Sequence, residues 1–153
     1  MNSRNKKAQL DFYRDWCLTV IRFLIAAEPP SEENERFLAQ SEKTIIKAYN
    51  DGNLVGFKYA YNDYNSDAKA LLNAEQFAEL DLDLRSRLGT GLKGAERKRQ
   101  KEIAHILKRG SVRDEDEYRL LLDHAEEIHA DRSRGEELKA VNLLLKAGLA
   151  KGG

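Results

Sequence analysis

The chain has 153 residues, of which 41% are hydrophobic and 34% charged, and its 26 basic and 26 acidic residues cancel. This composition fits one domain or two small lobes with a buried core and excludes a chain that is disordered throughout. Because the net charge is zero, no overall charge attracts nucleic acid or an anionic membrane. The single cysteine, Cys17, excludes an internal disulfide and favours the cytoplasm, and no run of about 18 apolar residues predicts a membrane span.

The first 88 residues contain four segments whose apolar residues recur every three or four positions, the period of an amphipathic helix. The first segment runs from about residue 8 to residue 27. Cys17 lies on its apolar stripe, so we expect a buried and unreactive thiol. Ser31 is placed to cap a second helix, and Asn73 followed by Gln76 three residues later predicts a capping box for the fourth.

Three glycines within residues 89–94 predict a linker between an N-terminal lobe, residues 1–88, and a C-terminal lobe, residues 95–153. The second lobe is predicted to contain a basic helix over residues 95–109 and an acidic helix over residues 114–132. The acidic helix turns Leu121 and Leu122 inward. A last helix is predicted to begin at a capping box formed by Ser133 and Glu136. The fold class is therefore an all-α bundle of six or seven helices.

The zero net charge conceals two adjacent blocks of opposite sign. Residues 93–113 carry a net charge of +6, and residues 114–138 carry −7. A short connection between two helices predicts antiparallel packing. The two blocks can then complement each other across the hairpin or form solvated faces.

The acidic block is also a candidate docking face for a basic protein partner, since charge complementarity accelerates and selects association. Its candidate residues are Asp114, Glu115, Asp116 and Glu117. Together with the lack of a recognisable catalytic constellation, this favours a non-catalytic, protein-binding or regulatory module of the antitoxin, immunity, inhibitor or adaptor type. No cofactor and no metal site are expected, because the sequence Glu126-Glu127-Ile128-His129 supplies an isolated E-x-x-H pair. A homodimer remains open.

The basic block supports another interpretation, in which Arg97, Lys98, Arg99 and Lys101 contact nucleic-acid phosphates. Two features oppose it. The neighbouring acidic helix would repel nucleic acid, and no aromatic residue is interleaved for base stacking.

An enzymatic alternative rests on Arg119 and His124, which have four residues between them. This spacing resembles the R-x(4–6)-H pattern of small helical RNases of the HEPN class. The resemblance implies a metal-independent RNase in which two subunits bring these groups together. His124 would act as acid or base, and Arg119 would stabilise the charged phosphate transition state. Leu120 follows Arg119, whereas the family usually has a polar residue there.

Overall fold

The computed structural model describes the backbone of residues 3–149 and the side chains of residues 5–149, and this part of the chain is all-α, as predicted. It contains no strand, although Val112 and Leu149 form an isolated parallel bridge. None of its helices has both the length and the apolar content needed to cross a membrane. Its elements are α1 (Ser3–Ala26), α2 (Glu32–Asn50), α3 (Leu54–Leu71), α4 (Ala74–Leu88), α5 (Leu92–Arg109), α6 (Glu115–Ile128), a 3-10 turn (Arg132–Arg134) and α7 (Gly135–Ala147).

Local side-chain caps determine where four helices begin. The residues before α2, α3, α4 and α6 each accept a hydrogen bond from the backbone amide three residues later. This bond satisfies an amide that the helix itself leaves without a partner. The predicted cap at Ser31 and the capping box of Asn73 and Gln76 are both confirmed.

The predicted capping box of Ser133 and Glu136 is wrong. Asp131 Oδ1 accepts hydrogen bonds from the Ser133 backbone amide (3.0 Å) and from its hydroxyl (2.6 Å). These bonds stabilise the 3-10 turn, and α7 begins at Gly135 without a side-chain cap. A nearby carboxylate therefore engages the Ser133 hydroxyl, and this competition for a local partner is invisible in the S-x-x-E pattern.

The described residues form two compact units, divided between Ala95 and Glu96. In the first unit α1 is buried on two faces, which explains its wide apolar stripe. Trp16 belongs to a cluster shared with α3 and α4, whereas Cys17 and Ile21 pack with α2 and α3. Burial raises the pKa of the Cys17 thiol to about 12, so this thiol is protonated and shielded from solvent.

The core of the second unit is formed by apolar residues of α5, α6 and α7 and by Val112 between α5 and α6. Its buried members are Ile103, Ile106, Val112, Leu120, Leu121, Ala125 and Val141. The prediction that Leu122 turns inward is wrong, because Leu122 is 37% exposed and Leu120 is buried. Leu120 and Leu122 lie on either side of the apolar stripe that contains Leu121. Packing against α5 and α7 determines which of the two is buried.

α5 begins at Leu92, within the predicted linker of residues 89–94, and Leu92 is 3% exposed. The buried Asp81 of α4 accepts a hydrogen bond from the Lys93 amide (3.0 Å) and so caps α5 from another helix. Gly91 leaves room for that carboxylate, and Gly89 ends α4 in the left-handed conformation with φ of 81°. The glycines thus allow close packing and a tight turn.

Candidate binding surfaces on α5 and α6

Ion pairs show how α5 and α6 pack against each other. Arg99 donates to Glu127 at 2.8 Å, and Arg109 pairs with Glu117 near the opposite ends of the two helices. Arg99 precedes Arg109 along α5, whereas its partner Glu127 follows Glu117 along α6, so the two helices are antiparallel. Both arginines are largely buried, with side-chain exposures of 14% and 17%. Two positive charges of the basic block are thus neutralised by two carboxylates of the acidic block inside the hairpin.

The four basic residues proposed for phosphate contact divide into two groups. Arg99 faces α6 and pairs with Glu127, so it belongs to the packed side of α5. Arg97, Lys98 and Lys101 are exposed. At about 100° per residue, Arg97, Lys101 and the exposed Lys108 lie within about 20° of the line opposite Arg99. We call these three residues the basic face of α5; they point away from α6.

The four acidic residues proposed for docking also divide. The Asp114 side chain caps α6 by accepting from the Glu117 amide. Glu117 accepts from the Arg113 amide and pairs with Arg109. Burial alone would raise the pKa of Glu117, but these two hydrogen bonds together with the positive charges of Arg109 and Arg113 lower it. Asp114 and Glu117 therefore stabilise the hairpin, while Glu115 and Asp116 are exposed.

Two further carboxylates extend this acidic pair along α6: Glu126 is exposed and Asp123 is half-buried. Glu115 and Glu126 lie within about 20° of each other around the axis, and Asp116 and Asp123 lie within about 100° of Glu115. Leu122 lies between Glu115 and Glu126 on the same side. We call Glu115, Asp116, Asp123 and Glu126 the acidic face of α6. Sequence reasoning missed this apolar residue because it assigned Leu122 to the core.

His124 lies on the opposite, buried side of α6 and is inaccessible to solvent. Its Nε2 is 3.5 Å from Glu137 Oε2 on α7, too far for a well-formed hydrogen bond. Neither ring nitrogen has a hydrogen-bond partner among the described residues. Glu137 itself is held by Arg134, whose Nε donates to Oε2 at 2.8 Å. Burial lowers the pKa of His124; Glu137 opposes this effect, while Arg99 and Arg134 reinforce it.

The structure does not bring Arg119 and His124 together within one chain. Five residues of helix turn them about 140° apart, and Arg119 is exposed whereas His124 is buried. Arg119 is not among the charged groups that shift the pKa of His124. The spacing that resembles the RNase pattern therefore places a surface guanidinium and a core imidazole on different sides of α6.

The positions of the potential metal ligands also bear on the candidate chemistry. Among residues 5–149, no three His, Cys, Asp or Glu side chains are grouped so that they could hold a metal ion.

No protein-family model, curated protein or solved structure matches the chain. The surfaces of α5 and α6 are therefore interpreted from their own chemistry.

Proposed function

We propose that this chain is a non-catalytic protein-binding module of the inhibitor or adaptor kind, and that the acidic face of α6 contacts its partner. The observation that carries this proposal is the position of Leu122, 37% exposed, between the acidic residues Glu115 and Glu126. Protein interfaces combine apolar contacts that exclude water with charges that select the partner. The exposed side of α6 supplies both in one surface.

The charge of this face defines the partner. Four carboxylates accompany one exposed cation, Arg119, so the face is acidic overall. A complementary protein surface would offer lysine or arginine side chains around an apolar depression that accepts Leu122. Complementary charges mainly raise the rate of association. Because salt screens these charges, the affinity should fall as salt is added.

Two residues of the acidic block, Asp114 and Glu117, make contacts within the hairpin, so we do not include them in the binding surface. Asp114 and Glu117 are occupied by the α6 amide and by Arg109 and Arg113. Reversing their charge would damage the hairpin itself. A useful test must therefore leave them unchanged and alter Glu115 and Glu126.

The test begins with capture of protein partners on the purified chain from a lysate of its source cells at low salt. A captured protein is then purified, and its affinity is measured by titration with the native chain and with the double variant Glu115→Lys/Glu126→Lys. We expect the double variant to bind at least about ten-fold more weakly, a loss of about 1.4 kcal/mol. Circular dichroism verifies that it remains helical.

The chain offers a matched control on α4. Glu75 lies in the first turn of α4 as Glu115 does in α6, and Glu79 lies further along the helix, with both side chains exposed. The variant Glu75→Lys/Glu79→Lys changes the net charge by the same amount and should keep its affinity within about two-fold. Equal weakening of both variants, or a lysate in which no protein is retained, would contradict the proposal.

A further inference from the structure

The basic face of α5 has no role in the packing of its helix. Arg97, Lys101 and Lys108 lie opposite Arg99, which contacts α6, and opposite Ile106, which is 2% exposed in the core. The three cations extend over twelve residues, from Arg97 to Lys108, or about 16 Å along the helix axis. Lys98 and His105, both exposed, adjoin this face on one side. The acidic residues of α5, Glu96 and Glu102, are turned about 120° from it.

We infer that the basic face of α5 binds the phosphate backbone of double-helical nucleic acid without reading its sequence. A row of cations about 16 Å long on one helix face can contact several phosphates of a duplex. Lysine and arginine on such a row release condensed counterions when they contact phosphates, which supplies sequence-independent affinity. This surface is distinct from the acidic face of α6, so the inference does not depend on the proposed protein partner.

The neighbouring acidic helix does not prevent this contact. Two carboxylates of α6, Glu117 and Glu127, already pair with Arg109 and Arg99 of α5. Around the axis of α5, the Arg99 pair lies about 180° from the centre of the basic face and the Arg109 pair about 100° from it. A duplex that approaches Arg97, Lys101 and Lys108 therefore meets α5 from the side away from α6.

The composition of the face favours a duplex over other polyanions. α5 contains no Phe, Trp or Tyr, so it lacks the stacking platform by which proteins hold unpaired bases. Its apolar residues Ile103, Ile106 and Leu107 are buried or half-buried in the core, so they form no exposed apolar side that could enter a membrane. Lysine is depleted at the centres of protein interfaces, and no apolar anchor comparable to Leu122 lies on this face.

The experiment measures fluorescence anisotropy of a labelled 20-base-pair DNA duplex, and of an RNA duplex of matching sequence, titrated with the full chain. The number of phosphate contacts determines the salt dependence. For three contacts, affinity should fall about 40-fold between 50 and 200 mM monovalent salt. Binding of either duplex with this salt dependence supports the inference. The difference in affinity between the DNA and RNA duplexes shows whether the sugar is recognised.

The decisive variant is Arg97→Ala/Lys101→Ala/Lys108→Ala, and its charge-matched control is Lys43→Ala/Lys139→Ala/Lys146→Ala. All six side chains are exposed, so both variants should melt near the native temperature. We expect the first variant to bind at least about ten-fold more weakly at 50 mM salt and the control to bind within about two-fold of native.

Several results would overturn the inference. These are no duplex binding at 50 mM salt, equal losses in the two variants, or tighter binding to a single strand than to the duplex. Retention of the chain on phosphatidylserine vesicles but not on a duplex would also overturn it and assign the face to a membrane surface.

Discussion

Replacement of Gly91 by alanine tests how α4 and α5 are joined in the first unit. Gly91 is buried against Asp81, whose carboxylate caps α5 through the Lys93 amide. A Cβ atom at position 91 would lie 2.7 Å from the Asp81 carbonyl oxygen and 2.8 Å from Arg85 Cγ, and it would also collide with Asp81 Oδ1. The carbonyl belongs to the α4 backbone and cannot yield without displacing that helix.

The size of the effect follows from these contacts. Overpacking of this kind costs about 1 to 3 kcal/mol. Displacement of the Asp81 carboxylate would also weaken a hydrogen bond to a charged group, which contributes about 1.5 to 3 kcal/mol. The smaller conformational freedom of alanine in the unfolded chain offsets about 0.4 to 1 kcal/mol. We therefore expect Gly91→Ala to lower the free energy of unfolding by about 2 to 5 kcal/mol.

The measurement is urea unfolding followed by far-ultraviolet circular dichroism, with Gly135→Ala as the matched control. Gly135 is the first residue of α7, and a Cβ there would meet nothing within 4 Å. Because alanine favours the helix, the control should be unchanged or more stable by up to about 1 kcal/mol. A Gly91→Ala variant as stable as the native chain would refute the close packing of Asp81 against residues 89–94.

Two further predictions concern buried titratable groups. Burial lowers the pKa of His124 from 6.5, so below about pH 6.5 the unfolded chain binds more protons than the folded chain, and stability falls as the pH decreases. His124→Leu should flatten this loss between about pH 7 and pH 5 in urea unfolding, and an unchanged pH dependence would count against a neutral, buried imidazole. Burial also raises the pKa of Cys17 from 9.0 to about 12, so the thiolate fraction is about three orders of magnitude lower. An aromatic disulfide reagent should therefore modify Cys17 only in the unfolded chain, and rapid labelling under native conditions would disprove its burial.

The fold was largely accessible from sequence because its strongest signals are local. The caps at Ser31 and Asn73 depend on residues within one turn, and the helical periodicity depends on neighbours three and four positions away. The prediction at Ser133 was wrong for a related reason. Asp131, two residues earlier, offered that hydroxyl a better partner, and such competition depends on the backbone conformation actually adopted.

The candidate surfaces were less accessible because the edge of an apolar stripe is decided by tertiary packing. Leu120 and Leu122 are equivalent by residue type, yet α6 buries the first and exposes the second. Tertiary packing likewise decides which charged residues of a run are buried in an ion pair and which face solvent. Arg99 and Lys101 belong to one basic run, but one pairs with Glu127 inside the hairpin and the other faces solvent. Spacing alone shows which residues share a face and leaves open which face another helix covers.

If the acidic face of α6 binds a protein partner, the charges of Glu115 and Glu126 should determine the affinity, and a titration measures this dependence. The affinity of the purified partner is measured for the native chain, for Glu115→Lys/Glu126→Lys and for Glu75→Lys/Glu79→Lys at two salt concentrations. We predict a loss of at least about ten-fold for the α6 variant alone, larger at the lower salt concentration. Equal affinities for all three proteins would contradict the claim and place the partner elsewhere on the molecule.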